Sequence, residues 1–132
     1  MFSAKHRKNS KLEIGLAGED LAVNYIIKNG YELIQRNFRY KNNEIDIIAR
    51  KDGLLVFFEI KTICQYGEFL NGLSPEDNLT SRKRQKMIRV CQLFLKKYPL
   101  LINWDRGWRM DLLAIVLDPK GTPIRITHYR NI

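Results

Sequence analysis

Apolar positions along the chain follow two periods, one typical of helices and one typical of strands. From residue 11 to 29 they recur at helical spacing. Ser10, directly before this segment, and Glu13 within it form the S-x-x-E pattern of a capping box. Gly30 follows where a residue in the left-handed conformation commonly ends a helix. The pattern therefore predicts a first helix over residues 11–29.

Short runs rich in Ile, Val, Leu and Phe predict five strands. They cover residues 31–35, 44–50, 54–61, 108–118 and 124–128. Asp52-Gly53 separates the second run from the third, and this dipeptide favours a two-residue hairpin loop because both of its positions need positive φ. A turn is predicted at residues 118–121, and the loss of pattern over residues 62–79 predicts a loop.

A second helix is predicted over residues 80–98, ending before Pro99. The resulting order, α-β-β-β-α-β-β, is typical of an α/β domain with a mixed central sheet flanked by helices. A chain of 132 residues fits one such domain. We expect that domain to span residues 11–132, preceded by a flexible basic tail over residues 1–10.

The hairpin register brings acidic side chains together. With a two-residue loop at 52–53, Asp46 falls opposite Glu59, and Glu44 falls opposite Lys61. Residues two apart on a strand share a face, so these four side chains are expected to point the same way. Like charges opposed across strands are destabilising, so the pattern favours a hard divalent cation such as Mg²⁺ between the carboxylates. The alternative is a solvated hairpin end in which Lys61 pairs with Glu44.

Glu19 lies within the apolar arc of the first predicted helix. A carboxylate that faces a core is costly unless it is paired or binds a metal. We therefore expect Glu19 to reach toward the hairpin carboxylates. The alternative is that a nearby Arg or Lys neutralises it.

The second helix has two contrasting faces, with no acidic residue between Leu79 and Tyr98. Its apolar stripe consists of Met87, Val90, Cys91, Phe94, Leu95 and Tyr98. Its basic side includes Arg82, Lys83, Lys86 and Arg89. A face of one charge suits a nucleic-acid backbone, whereas the alternative is a merely solubilising surface. The formal net charge of +9 also favours a polyanionic partner.

Several other classes of protein are disfavoured. The two cysteines lack the spacing of a zinc site and are too few for a disulfide framework. No secretory signal precedes residue 10, and the longest apolar run, residues 112–117, is too short to span a membrane. We expect a soluble cytoplasmic protein without a membrane partner. Asp111 is expected to form a structural ion pair with Arg109, and His128 is expected to be structural.

Several of these residues form short motifs that are spread over nearly the whole chain. They are Gly18-Glu19, Gly30-Tyr31, Arg36-Asn37, Glu44-Ile45-Asp46, Glu59-Ile60-Lys61, Arg82-Lys83, Arg109-Met110-Asp111 and His128-Tyr129-Arg130-Asn131. Together they resemble the YraN family of small bacterial proteins, which is placed in the restriction-endonuclease-like PD-(D/E)XK superfamily. The resemblance implies the restriction-endonuclease-like fold.

The resemblance also implies a set of roles. Asp46 and Glu59 would bind Mg²⁺ or Mn²⁺, with Lys61 as the superfamily lysine. Glu19 would be a further ligand, as in the subgroup similar to archaeal Holliday-junction resolvases. The activity implied is that of an endonuclease acting on DNA, branched or structured DNA included, with the basic helix holding the backbone. Such resolvases act as homodimers, so the resemblance also allows a homodimer here.

The chain departs from the family pattern at three positions: Asn43 stands where Gly is frequent, Met110 where Phe is common, and Ile63 where Arg is usual. The change at Ile63 bears on function. The family usually continues Glu-x-Lys-x-Arg, whereas this chain has Ile63 at the last position. The change removes a cation near the expected site and favours the alternative of a non-catalytic nucleic-acid-binding protein that retains the nuclease fold. A further alternative is an interaction module in a DNA-processing complex, with the basic face bound to an acidic protein.

Overall fold

The computed structural model describes residues 11–65 and 79–132. The predicted tail over residues 1–10, including the proposed cap at Ser10, and most of the loop predicted at 62–79 lie outside the described residues. The elements are α1 (Lys11–Lys28), β1 (Glu32–Tyr40), β2 (Asn43–Lys51), β3 (Leu54–Cys64), α2 (Ser81–Lys97), β4 (Trp108–Leu117) and β5 (Pro123–Tyr129). A single 3₁₀ turn, Pro99–Leu101, follows α2. The predicted order α-β-β-β-α-β-β is confirmed.

The strands form one mixed sheet in the order β1-β2-β3-β4-β5. Of the four described strand pairs in this sheet, β3–β4 is parallel and the other three are antiparallel. A parallel pair needs a long crossover, and α2 lies in that connection. With a helix on each face, this is the α/β arrangement of the restriction-endonuclease-like fold.

Two apolar cores lie on opposite faces of the sheet. Phe57 packs in the core under α2 with Val90 and Phe94, whereas its neighbour Phe58 packs in the core under α1 with Ile26. This alternation follows from the two-residue period of a strand. The apolar stripe predicted for the second helix is confirmed, since Met87, Val90, Cys91, Phe94 and Leu95 are buried.

The loop at Asp52-Gly53 has the predicted geometry. Asp52 has φ 51° and Gly53 has φ 80°, so both positions are left-handed, as a type I′ turn requires. The register of β2 against β3 runs as predicted from Lys51–Leu54 to Ile47–Phe58 and ends there.

Beyond that point β2 and β3 follow different partners. The first residues of β2 pair with β1 as far as Asn43–Tyr40, and the last residues of β3 pair with β4 as far as Cys64–Leu117. β1 is therefore longer than the predicted 31–35, and β3 extends past the predicted end at residue 61. A further two-residue turn, at residues 41–42, returns the chain from β1 to β2 and allows this extension. The divergence opens a gap between β2 and β3.

Neither α1 nor α2, the helices of the described residues, is long and apolar enough to cross a membrane.

Candidate active site

Asp46 lies in the gap where β2 and β3 diverge. Its Oδ2 accepts a hydrogen bond of 2.8 Å from the backbone N–H of Ile60. The predicted ladder pairs Asp46–Glu59 and Glu44–Lys61 are therefore wrong, because the recorded register stops at Ile47–Phe58 and a side chain takes the next backbone donor. The two carboxyls predicted to meet do so through side chains, since Glu59 hydrogen-bonds Asp46.

A local change of face positions Asp46. Ile45 packs in the core under α2, whereas Ile47, two residues later, packs in the core under α1. Opposite Asp46 on β1 lies Asn37, whose φ of 54° is left-handed. Asn tolerates this conformation better than most residues with a side chain. The β1–β2 hairpin thus switches faces at Asp46 and directs its carboxyl along the gap rather than into either core.

A second strand residue and one helix residue complete an acidic cluster. Glu19, Glu44 and Asp46 each offer a carboxylate oxygen, and these oxygens lie within 4.8 Å of one another. Glu44 also forms an ion pair with Arg39. The predicted metal set was Glu19, Asp46 and Glu59. The cluster in the structure instead contains Glu44 with Glu19 and Asp46, while Glu59 contacts the cluster through its hydrogen bond to Asp46. The spacing of Glu44 and Asp46 on one strand was the available signal, and the expected pairing of Glu44 with Lys61 obscured it.

Glu19 reaches the cluster from α1, as predicted. It lies one turn before Ala22, which is fully buried against the sheet. Arg36 of β1 approaches it, with 3.6 Å between Nη2 and Glu19 Oε2, and also bonds Asp20 at 3.1 Å. The alternative of neutralisation by an arginine is therefore also present in the geometry. Arg36 Nε is buried without a hydrogen-bond partner among the described residues.

Burial and mutual repulsion favour the protonated form of three of these acids. Burial first, and the charge of Glu59 second, raise the pKa of Asp46 to about 8. Burial also raises the pKa of Glu59, although Lys61 opposes this effect. The pKa of Glu19 is raised by burial and held back by Arg36. Carboxylates that share a buried site in this way are stabilised in their charged form by a cation.

Lys61 and the basic helix border the same gap. Lys61 Nζ lies 3.5 Å from Glu59 Oε1, and both side chains line a cleft of about 270 Å³ together with Glu44. Lys83 and Lys86 of α2 line the same cleft. Thr80 fixes the start of α2 beside the cleft, because its side chain caps the helix by accepting from the N–H of Lys83 at 3.2 Å.

The remaining residues predicted to bind nucleic acid lie outside the cleft. Arg82 and Arg89 are exposed on α2 but do not line it. They extend the row of cations formed by Lys83 and Lys86 along the helix. The structure thus places a one-sign surface directly beside the acidic cluster, an adjacency that the sequence pattern alone did not predict.

The donor set of the cluster suits a hard divalent cation. Its three ligand groups are all carboxylates, and Asp46 keeps one oxygen, Oδ1, outside the bond to Ile60. Mg²⁺ and Mn²⁺ prefer such oxygen ligands and are usually held by one or two carboxylates with water completing the shell. The residues present therefore fit the group that the resemblance implies.

Sequence comparisons agree with the resemblance. The model of the uncharacterised protein family UPF0102, which is the YraN family, matches residues 18–115. A UPF0102 protein of Clostridium botulinum (strain Loch Maree) is 38% identical over 119 residues, which cover 90% of this chain and 92% of that protein. A UPF0102 protein of Chloroherpeton thalassium is 36% identical over 110 residues, 83% of this chain and 80% of that protein. The region that the family model matches, residues 18–115, includes all three members of the acidic cluster.

Proposed function

The chain belongs to the uncharacterised protein family UPF0102, and from the geometry of its site we propose that it is a metal-dependent endonuclease that hydrolyses phosphodiester bonds in DNA, branched or structured DNA included. The observation that carries this proposal is the gathering of Glu19, Glu44 and Asp46 in the gap between β2 and β3, beside Lys61. Cytoplasmic location and a DNA partner are part of the same proposal.

Asp46 is the common member of the acidic groups in this mechanism. It lies beside Glu19 and Glu44 and also bonds Glu59, so Asp46 would hold Mg²⁺ or Mn²⁺ together with Glu19 and Glu44. A bound cation of this kind polarises the scissile phosphate and lowers the pKa of an attacking water. Glu19 and Glu44 supply the further oxygens, and Glu59 completes the wall of the cleft.

Lys61 supplies a positive charge where the phosphate would lie. Its ion pair with Glu59 holds Nζ beside the cleft that both side chains line, and the side chain remains about one-third exposed. A fixed cation at this position stabilises negative charge that develops on the phosphate oxygens during hydrolysis. Glu59 is in this respect a positioning residue for Lys61.

Lys83 and Lys86 hold the nucleic acid against the site. They line the cleft together with Glu59 and carry no acidic neighbour on their helix. Arg82 and Arg89 extend the contact along the backbone. Binding through such a row releases counterions and therefore weakens steeply as salt concentration rises.

The test is cleavage of linear, nicked, single-stranded and four-way-junction DNA with Mg²⁺ or Mn²⁺, using purified full-length chain. We expect activity on at least one substrate, a fall of about 10²–10³-fold in Lys61→Ala, which removes one transition-state cation, and background activity in Asp46→Asn. Lys120→Ala, which removes an exposed lysine from the turn before β5, serves as the control. Cleavage that survives in both site variants would overturn the mechanism, and cleavage of RNA alone would overturn the choice of DNA.

A second candidate is a non-catalytic nucleic-acid-binding protein, and one contact favours it. Arg36 already approaches Glu19 and so offers the cluster a cation from the chain itself. This hypothesis predicts salt-sensitive DNA binding with the same affinity in Asp46→Asn and wild type. It also predicts no cleavage under any metal condition. Binding measured at increasing salt by fluorescence anisotropy separates the two functions.

A further inference from the structure

A second cleft opens at the other end of β3, away from the acidic cluster. Its volume is about 360 Å³. It is lined by Tyr31, Lys51, Asp52, Leu54, Arg106, Arg109 and Arg130. Leu54 begins β3 and Glu59 lies five residues farther on, which at about 3.4 Å per residue separates the two sites by about 17 Å along the strand.

Cations dominate the lining of this cleft. Lys51, Arg106, Arg109 and Arg130 face a single acidic residue of the lining, Asp52. They come from the β2–β3 hairpin, the turn before β4, the start of β4 and the chain after β5, so the fold rather than a local run of sequence brings them together. Like charges that converge in this way repel one another unless an anion occupies the space between them.

Two of the cations are held in position. Arg109 donates from Nε and Nη2 to the two oxygens of Asp111 at 2.8 and 3.0 Å, and its Nη2 also donates to Tyr31 Oη at 3.2 Å. Lys51 donates to the carbonyl of Asn29 at 2.7 Å and lies over the ring of Tyr31, 5.2 Å from its centroid. These contacts leave Nη1 of Arg109 outside the pair with Asp111.

The partner of Arg109 is itself anchored. Asp111 is fully buried and also bonds His128 Nε2 at 2.7 Å and the backbone N–H of Asn131 at 3.0 Å. The ion pair with Asp111 accounts for Arg109, as expected from the sequence, and His128 is a further hydrogen-bond partner of Asp111, but neither contact accounts for Arg106 and Arg130. These two arginines are exposed and flank a guanidinium that is already fixed.

We infer that this cleft binds a phosphate monoester carried by a nucleotide, either free or at the end of a nucleic-acid strand. A monoester carries a charge of about −1.5 to −2 near neutral pH, which matches the excess of cations better than a singly charged diester does. Guanidinium groups bind phosphate oxygens in pairs of parallel hydrogen bonds. The cleft is near the lower end of the range of ligand pockets, about 300–1,000 Å³, so it has room for a phosphate with an attached sugar. This site is independent of the proposed nuclease activity.

The experiment titrates the full-length chain, in chelator to keep divalent cations from the acidic cluster, and follows binding by calorimetry or protein NMR. Inorganic phosphate is the first probe, with sodium chloride at matched ionic strength for comparison. The test variant Arg106→Gln/Arg130→Gln removes two exposed charges from the cleft. The control Lys120→Gln/Arg125→Gln removes two charges from exposed residues outside it.

We expect wild type and the control to bind phosphate alike and the cleft variant to bind at least about tenfold more weakly. Equal binding by all three proteins, or an equal response to chloride, would overturn the inference. Further arms use a 5′-mononucleotide and one oligonucleotide with a 5′-phosphate or a 5′-hydroxyl. Equal affinity for the two oligonucleotides would exclude the monoester. If the phosphorylated strand binds more tightly than the mononucleotide, the ligand is a strand end. If the mononucleotide binds as tightly as the phosphorylated strand, the ligand is a free nucleotide. No arm depends on cleavage.

Discussion

Asp46 is the residue at which the electrostatics of the candidate site converge. Its carboxyl is bonded by one backbone N–H, faces Glu59, and lies near Glu19 and Glu44. Burial and these neighbours raise its pKa to about 8. A residue in this setting stabilises the folded chain poorly on its own, which is consistent with the cation that we propose for this site.

The substitution Asp46→Asn should therefore stabilise the protein when divalent metal is chelated. Asn keeps an oxygen for the N–H of Ile60 but removes the buried like charge, and we expect the free energy of unfolding at pH 8 to rise by about 1–2 kcal/mol. Urea unfolding followed by circular dichroism measures the change. Asp105→Asn, at an exposed turn, is the control and should leave stability unchanged. A destabilised Asp46→Asn would show that the carboxylate is needed for folding rather than for a ligand.

Asp111 shows the opposite behaviour, because its buried charge is well partnered. Burial raises the pKa of Asp111, but hydrogen bonds from His128, Arg109 and the Asn131 backbone outweigh it, and the pKa ends below its ordinary value of 3.8. The unfolded chain then binds more protons than the folded one as pH falls. The stability that Asp111 contributes is complete above the unfolded pKa and is lost as pH falls through the folded pKa.

The substitution Asp111→Asn should lower the free energy of unfolding at pH 7 by about 3 kcal/mol, because it leaves Arg109 without its buried partner. We expect the difference from wild type to shrink as pH falls below about 4, where the wild-type carboxyl also takes up a proton. Unfolding curves at pH 7, 5 and 3 measure this convergence. A difference that stayed constant over the whole range would contradict an ionised Asp111.

At the scale of elements, a glycine sets the approach of α1 to the sheet. A Cβ placed on Gly18 would lie 1.9 Å from Thr62 Oγ1 and 2.7 Å from Thr62 Cβ, so the helix and β3 meet at this residue. The close approach brings the next residue, Glu19, within reach of Asp46. The packing of α1 and the geometry of the acidic cluster are therefore linked.

A matched pair of glycines in α1 tests this link. Gly18→Ala must displace the helix or β3, and we expect it to lower the free energy of unfolding by about 1–3 kcal/mol, as overpacking does. Gly15→Ala meets nothing within 4 Å and should instead raise it by about 0.5–1 kcal/mol through helix propensity. Thermal unfolding of both variants measures the difference in sign. Equal effects would show that α1 has freedom to shift.

The sequence predicted the elements well and the end of the β2–β3 pairing poorly. The register at Asp52-Gly53 follows from local turn chemistry, and the buried stripe of α2 follows from helical periodicity, so both could be predicted. The divergence of β2 from β3 depends on β1 extending to Tyr40 and on β4 pairing with the far end of β3. Such non-local pairings are not encoded by period or turn signals, so the end of the ladder before Asp46 could not be predicted, whereas the spacing of Glu44 and Asp46 already indicated that these two carboxylates lie close together.

At the scale of the whole molecule, an excess of positive charge accompanies a small acidic site. The chain has a formal net charge of +9, with cations on α2 and around the second cleft. The carboxylates of Glu19, Glu44 and Asp46 gather at one end of the sheet. In the proposed function the basic surfaces bind phosphate groups, whereas the acidic cluster binds the divalent cation.

Magnesium should stabilise the folded chain through this cluster. A ligand present at 100 times its dissociation constant adds about 2.7 kcal/mol to the free energy of unfolding. We expect Mg²⁺ titration to raise the unfolding midpoint of the wild type and to leave Asp46→Asn unchanged, measured against sodium chloride of equal ionic strength. An equal rise in both proteins would assign the effect to ions elsewhere on the surface.

The early end of the β2–β3 ladder has a consequence for how this fold can change. The cleft exists because the backbones part at Ile47 and Phe58, and the Asp46 side chain serves the amide that another strand residue would otherwise serve. Each additional residue pair between β2 and β3 would stabilise the sheet and would also narrow the cleft between these strands. Variants selected for heat resistance alone should therefore extend the pairing of β2 with β3 and lose the site. The proposed activity depends on an interruption that stability by itself would remove.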